Sequence, residues 1–216
     1  MGTDWRGLYL YGDNMVDEEK LILFIDDKNF YRGARRAFFA DTDAHYYGQI
    51  KPIELGRLIC ERCMITHKRN LFQVRVYTGA PEATKDPKTH SAHIKQRIAW
   101  EQAGVQIITR TLRYPDDWPA TKAEQKGVDV ALAIDFVALA IDGEYDVGVI
   151  VSTDSDLKPA LEYVYRKCND RCHIEVVAWN NPLKRSRLSI SAHNIWCHWL
   201  DKSDYDIIAD LTDYNL

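Results

Sequence analysis

Residues 147–157 read VGVIVSTDSDL. The first five are apolar or Gly and mostly β-branched. Such a run predicts a strand buried on both faces, the kind that builds a parallel sheet. It passes straight into Ser152, Thr153, Asp154, Ser155 and Asp156, so small hydroxyls and two carboxylates fall at the strand's carboxyl end. In open α/β sheets that is the edge where ligands bind. Residues 157–165 then predict a helix with Leu157, Leu161 and Val164 on one face and Pro159 in its first turn. Two carboxylates about 5 Å apart repel by about 3 kcal/mol in an effective dielectric near 20. They need a proton, a basic neighbour or a cation. A plainer role makes one of Asp154 and Asp156 a helix cap and leaves the other solvated.

The same order of features recurs upstream. LILFI at 21–25 predicts the first strand, which ends in Asp26, Asp27, Lys28 and Asn29. A helix is expected over 30–39, weakened by Gly33. Further elements are a helix over 52–66, a strand over 71–78, a helix over 90–103 ending at Gly104, and a strand over 105–109. Residues 110–125, with Pro115 and Pro119, predict an irregular excursion. VDVALAIDFVALAI at 128–141 is apolar all round and predicts a buried helix. Asp129 in its first turn suits the helix dipole. Asp135 lies six residues on, about 120° around the axis, and is expected to partner a buried base or backbone group, such as an Arg or Lys of a neighbouring element. IEVVA at 174–178 predicts the last strand, and 183–200 a short helix with a covering loop. A short strand is expected at 8–11 and a small helix in the tail, 201–216.

Alternating strands and helices imply an α/β fold, a three-layer α/β/α sandwich around a mainly parallel sheet. The division expected is an arm at 1–19, a domain at 20–180 and a C-terminal extension at 181–216 packing on it. In such a sheet Asp26, Asp129, Asp154 and Asp156 converge on one edge as an oxygen-rich pocket suited to Mg²⁺ or Mn²⁺. No run of the 216 residues is long and apolar enough for a membrane span, and no signal pattern opens the chain. The expectation is a cytoplasmic protein with no membrane partner. With a net charge of −4, nucleic-acid binding must rest on local clusters. Three exist: Lys28, Arg32, Arg35 and Arg36; Lys68 and Arg69; Lys184, Arg185 and Arg187. Cys60, Cys63, Cys168 and Cys172 match zinc spacing only loosely, and five cysteines without a signal argue against a disulfide framework. No phosphate-binding G-x-x-x-x-G-K-[ST] or G-x-G-x-x-G loop occurs.

FIDDKNF at 24–30, KGVDVALAID at 126–135 and VIVSTDSDL at 149–157, with YTGAP at 77–81 and GVQII at 104–108, resemble NYN domains of the LabA/DUF88 group in the PIN-like nuclease superfamily. The resemblance covers about residues 20–180 and is specific as a set. It implies a metal-dependent ribonuclease acting on RNA, expected to be single-stranded. The family's first aspartate falls on Asp26, its motif asparagine on Asn29, its helix-start aspartate on Asp129 and its strand-four pair on Asp154 and Asp156. These would hold Mg²⁺ or Mn²⁺ and serve catalysis. Ser152 and Thr153 would line the turn, and Lys28, Arg32 and Lys126 would contact phosphate. Thr153 stands where the family more often has Gly, and Asp27 where a small residue is usual. Tyr31, Tyr114 and Trp118 suit base stacking, with packing the better expectation for each. A rival is an RNA-binding or regulatory module using the same pocket with little turnover. A phosphatase with an aspartate nucleophile would want Asp-x-Asp-x-Thr after the first strand, which Asp26-Asp27-Lys28-Asn29 does not supply. The C-terminal extension is the surface expected for a homo-oligomer or protein partner.

Overall fold

The computed structural model describes residues 18–63, 68–191 and 193–216. The expected strand at 8–11, and the helical residues expected at 64–66, lie outside these. Strands β1 (Glu19–Asp26), β2 (Arg69–Ala80), β3 (Gln106–Thr111), β4 (Val147–Val151), β5 (His173–Trp179) and β6 (Trp196–Leu200) form one sheet. Helices α1 (Asp27–Phe38), α2 (Pro52–Cys63), α3 (Pro87–Gln102), α4 (Val128–Ile141), α5 (Lys158–Cys168) and α6 (Lys202–Ile208) flank it. The order is β3-β2-β1-β4-β5-β6, and every neighbouring pair is parallel. The connection leaves β1 toward β2 and β3, then returns to β4 on the other side of β1. The direction of winding therefore reverses between β1 and β4, and their carboxyl ends bound a crevice.

β1 and β4 are solidly apolar because helices cover both faces of the sheet. On one face α4 and α5 pack Leu132, Phe136 and Leu161 against Phe24, Ile150 and Val176. On the other, α1, α2, α3 and α6 pack Phe30, Leu55, Trp100 and Tyr205 against Leu23, Val149 and Val177. This is the three-layer sandwich expected. Gly33, which weakens α1 as a helix former, has a packing reason. A Cβ there would come within 2.8 Å of the Trp179 ring, which stacks on Phe30 and donates its indole N–H to the Phe30 carbonyl at 2.9 Å. Gly127 opens α4 at φ 73°, a left-handed conformation that favours glycine.

Two expectations need correction. Residues 183–200 do not form a helix: 184–189 are irregular, and Trp196–Leu200 joins β5 as a sixth parallel strand. Aromatic and apolar residues suit a strand, and pairing covers an edge that β5 would otherwise leave open. α4 is not buried all round. It lies in an outer layer, and Val130, Ile134 and Ile141 face solvent, Ile134 at 61% exposure. The short tail helix is present as α6, capped by Asp201, whose carboxylate accepts the Ser203 and Asp204 N–H groups. Boundaries move elsewhere. α3 begins at Pro87 behind an Asp86 cap, and a single 3₁₀ turn at Ser155–Leu157 precedes α5.

Candidate active site

The register that pairs Ile25 with Val151 sets Asp26 beside Ser152 at the crevice between β1 and β4. Asp26 ends β1 and caps α1. Its Oδ1 accepts the Asn29 N–H at 3.2 Å, and its Oδ2 accepts the Ser152 hydroxyl at 3.2 Å. Ser152 is only 1% exposed, and its Oγ also accepts the Asp154 N–H at 3.1 Å. Its hydroxyl is spent on holding the two acidic turns together, so it is not a substrate contact in this conformation. Asn29 ties the same turns from the helix side: its Oδ1 accepts the Thr153 N–H at 3.0 Å and the Thr153 hydroxyl at 3.1 Å. Asp154 caps the 3₁₀ turn by accepting the Asp156 N–H at 3.0 Å. The capping role anticipated for one of the pair thus belongs to Asp154, and Asp156 is the exposed member.

Asp26 is 8% exposed. Burial pushes its carboxyl above the ordinary carboxylate range. The Asn29 and Ser152 hydrogen bonds oppose this, and the charges of Asp154 and Asp129 reinforce it. Asp129 and Asp154 therefore each stand within electrostatic range of Asp26. Asp156 joins Asp129 on the wall of a groove of about 530 Å³ between α4 and α5. Lys28 is half-buried beside them. Burial lowers its ammonium below the usual range, Arg32 adds to that, and Asp26 and Glu124 oppose it. Glu124, in the excursion after β3, was not anticipated and carries no motif. Lys126 is exposed and pairs with Glu124 at 3.3 Å. Asp27 turns away from the crevice and accepts the Thr78 hydroxyl at 2.9 Å. Burial, opposed by that bond and aided by Asp26, raises it to about 6.

The donor set is all carboxylate oxygen, which suits a hard cation. Among the described residues no three His, Cys, Asp or Glu side chains are gathered closely enough to hold one ion. Mg²⁺ does not require three, because it binds through one or two carboxylates with water and substrate phosphates. Asp26 with Asp154 satisfies that smaller requirement in chemistry and charge. Cys60, Cys168 and Cys172 are buried, and no zinc cluster occurs among the described residues. Tyr31 and Tyr114 bond to the His45 carbonyl and the Glu82 N–H, and Trp118 packs edge-on to Tyr114.

Over residues 20–195 the sequence matches the model of the NYN domain family. The chain belongs to the NYN domain family. That places it in the PIN-like nuclease superfamily. No curated protein matches this NYN domain chain. A crystal structure of a protein of unknown function from Vibrio parahaemolyticus RIMD 2210633 is similar to it at 18% identity, with a TM-score of 0.48, covering 74% of this chain and 82% of that one. The NYN match ends just before β6, so β6 and α6 lie beyond the matched region while completing the same sheet and layer. The Asp135 expectation also holds: Arg75 reaches Asp135 at 2.6 Å, and the Tyr77 hydroxyl adds a bond at 2.9 Å. No helix among the described residues is long and apolar enough to cross a membrane.

Proposed function

We propose that this NYN domain protein is a metal-dependent ribonuclease that hydrolyses phosphodiester bonds of single-stranded RNA. The observation that carries it is the gathering of Asp154 and Asp129 within electrostatic range of Asp26 at the crevice between β1 and β4. No ion pair with any of the three occurs among the described residues. Such a group is stabilised by a cation, and a nuclease superfamily gives that cation a use. Asp26 and Asp154 would hold Mg²⁺ or Mn²⁺, with Asp129 and Asp156 beside them. Once bound, such an ion supplies Lewis-acid polarisation of a phosphoryl oxygen and lowers the pKa of water.

The chain's own residues do the positioning. Ser152 fixes Asp26 against the turn that carries Asp154, and Asn29 fixes that turn against α1. Lys28, Arg32 and Lys126 supply positive charge for phosphate at the rim, offsetting the repulsion between RNA and the acidic cluster. A second reading keeps RNA binding without turnover. The observation in its favour is the lack of a three-ligand cluster among the described residues. Cleavage of labelled single-stranded RNA with Mn²⁺, Mg²⁺ or EDTA, for the unaltered protein and Asp154→Asn, separates the two. Metal-dependent cutting lost in the variant supports the nuclease. RNA binding with no cutting in any metal supports the module.

A further inference from the structure

Lys28, Arg32 and Arg36 recur every four residues along α1, which puts them in one row about 12 Å long. The row begins beside Asp26 and runs away from the crevice. Arg36 turns its Nε back to the Arg32 carbonyl at 3.2 Å, which leaves its terminal nitrogens outward. At the far end the Asn181 side chain donates to the Arg36 carbonyl at 3.4 Å and accepts the Lys184 N–H at 3.3 Å. Asn181 thereby fastens the loop after β5 to α1 and sets Lys184 at the end of the row.

Most neighbouring bases are already occupied. Arg35 spends its guanidinium on the carbonyls of Ala40, Asp43, Ala44 and Tyr47. Arg69 pairs with Glu19 and Glu175, and Arg75 with Asp135. No ion pair to Arg32, Arg36 or Lys184 occurs among the described residues. The helix dipole accounts for a base in the last turn but disfavours Lys28 in the first. Three of the four cations in this row have no ion-pair partner among the described residues, and Lys28 is offset only by Asp26 and Glu124; on a protein of net charge −4 such a row suits an anionic partner of matching length.

We infer that Lys28, Arg32, Arg36 and Lys184 form a path that carries the backbone of single-stranded RNA along α1 away from the acidic crevice. This rests on the ribonuclease proposal and adds the course of the strand beyond the cut. The test measures binding of a labelled single-stranded oligoribonucleotide, long enough to span α1, across about 50–200 mM salt. Mg²⁺ is present, and the Asp154→Asn background prevents cutting. Arg36→Glu with Lys184→Glu is compared with Arg166→Glu with Lys167→Glu, the same change of charge on α5. The first pair is expected to weaken binding about tenfold or more and to flatten the salt slope by about 1.4, two phosphate contacts' worth. The second pair is expected to leave the slope unchanged. Equal effects of the two pairs overturn the path and leave the nuclease standing if the Asp154-replete protein cuts RNA. No RNA binding by the parent at any salt overturns the path, and absence of metal-dependent cutting then removes the nuclease separately.

Discussion

The Ser152 hydroxyl bridges Asp26 and Asp154, donating to the Asp26 carboxylate at 3.2 Å while accepting the Asp154 N–H at 3.1 Å. One buried oxygen thus sets the distance between two strand ends. Ser152→Ala removes both bonds and leaves the Asp26 oxygen and the Asp154 N–H short of a partner. The expected result is a fall in RNA cleavage of about 10- to 100-fold, the range for residues that orient ligands. The stability loss should stay near 1–2 kcal/mol. Cleavage kinetics and thermal melts of the same preparation measure the two effects. Full activity in the variant would refute the positioning role.

Asp26→Asn should stabilise the protein in EDTA at neutral pH. The folded-state pKa of Asp26 is raised, so the folded chain binds a proton more readily than the unfolded one. Stability is then lost as pH climbs from the unfolded value through the folded one, and above both the charge is a standing penalty. The amide removes that penalty. Divalent cations should raise the melting temperature of the unaltered protein and have a smaller effect on the variant. A variant that melts lower in EDTA at neutral pH would contradict this account.

On the opposite edge of the sheet, Arg69 grips Glu175 through two nitrogens at 2.9 and 2.8 Å, and His198 adds a contact at 2.8 Å. Burial works against ionisation of Glu175, but the His198 and Arg69 bonds outweigh it and hold the carboxyl at about 2. The stabilisation is present above the unfolded pKa near 4.3 and is lost as pH falls toward about 2. Acid titration of stability should show this loss, on the order of 3 kcal/mol. Glu175→Gln should abolish that component. It should also cost about 3–5 kcal/mol at neutral pH by leaving Arg69 without its full complement of charge.

Gly33→Leu should destabilise the fold by several kcal/mol, since even a Cβ meets the Trp179 ring at 2.8 Å. Helix propensity alone predicts the opposite sign. Adding Trp179→Ala should reduce the penalty of Gly33→Leu, because the side chain it strikes is gone. Urea melts of the two single variants and the double one decide this.

β1 and β4 were legible because both of their faces are buried, so each reads as an unbroken apolar run with its acids at one end. The placement of Asp26 and Asp154 at neighbouring strand ends followed from those runs. Asp135 was legible as a residue in need of a base, though not which base. β6 was hidden because WCHWL is short and its pairing with β5 is a long-range choice. The exposed side of α4 was hidden because its sequence is largely apolar, and among the described residues no further layer covers Ile134. Arg69 and Glu175 are 106 residues apart, and no local pattern announces their network with His198.

Asp26 and Ser152 are 126 residues apart in the chain. The winding reversal between β1 and β4 means that β2, β3 and α4 are all synthesised before β4, the second neighbour of β1, emerges. A growing polypeptide therefore carries Asp26 and Asp129 for a long interval with nothing to set them against. It acquires a complete acidic crevice only when the 152–157 turn leaves the ribosome. Strand order thereby fixes the order of assembly: the ribonuclease activity proposed above could not arise in the nascent chain before the 152–157 turn is made. Ribosome-bound chains truncated before β4 should leave RNA intact, whereas released full-length protein should not.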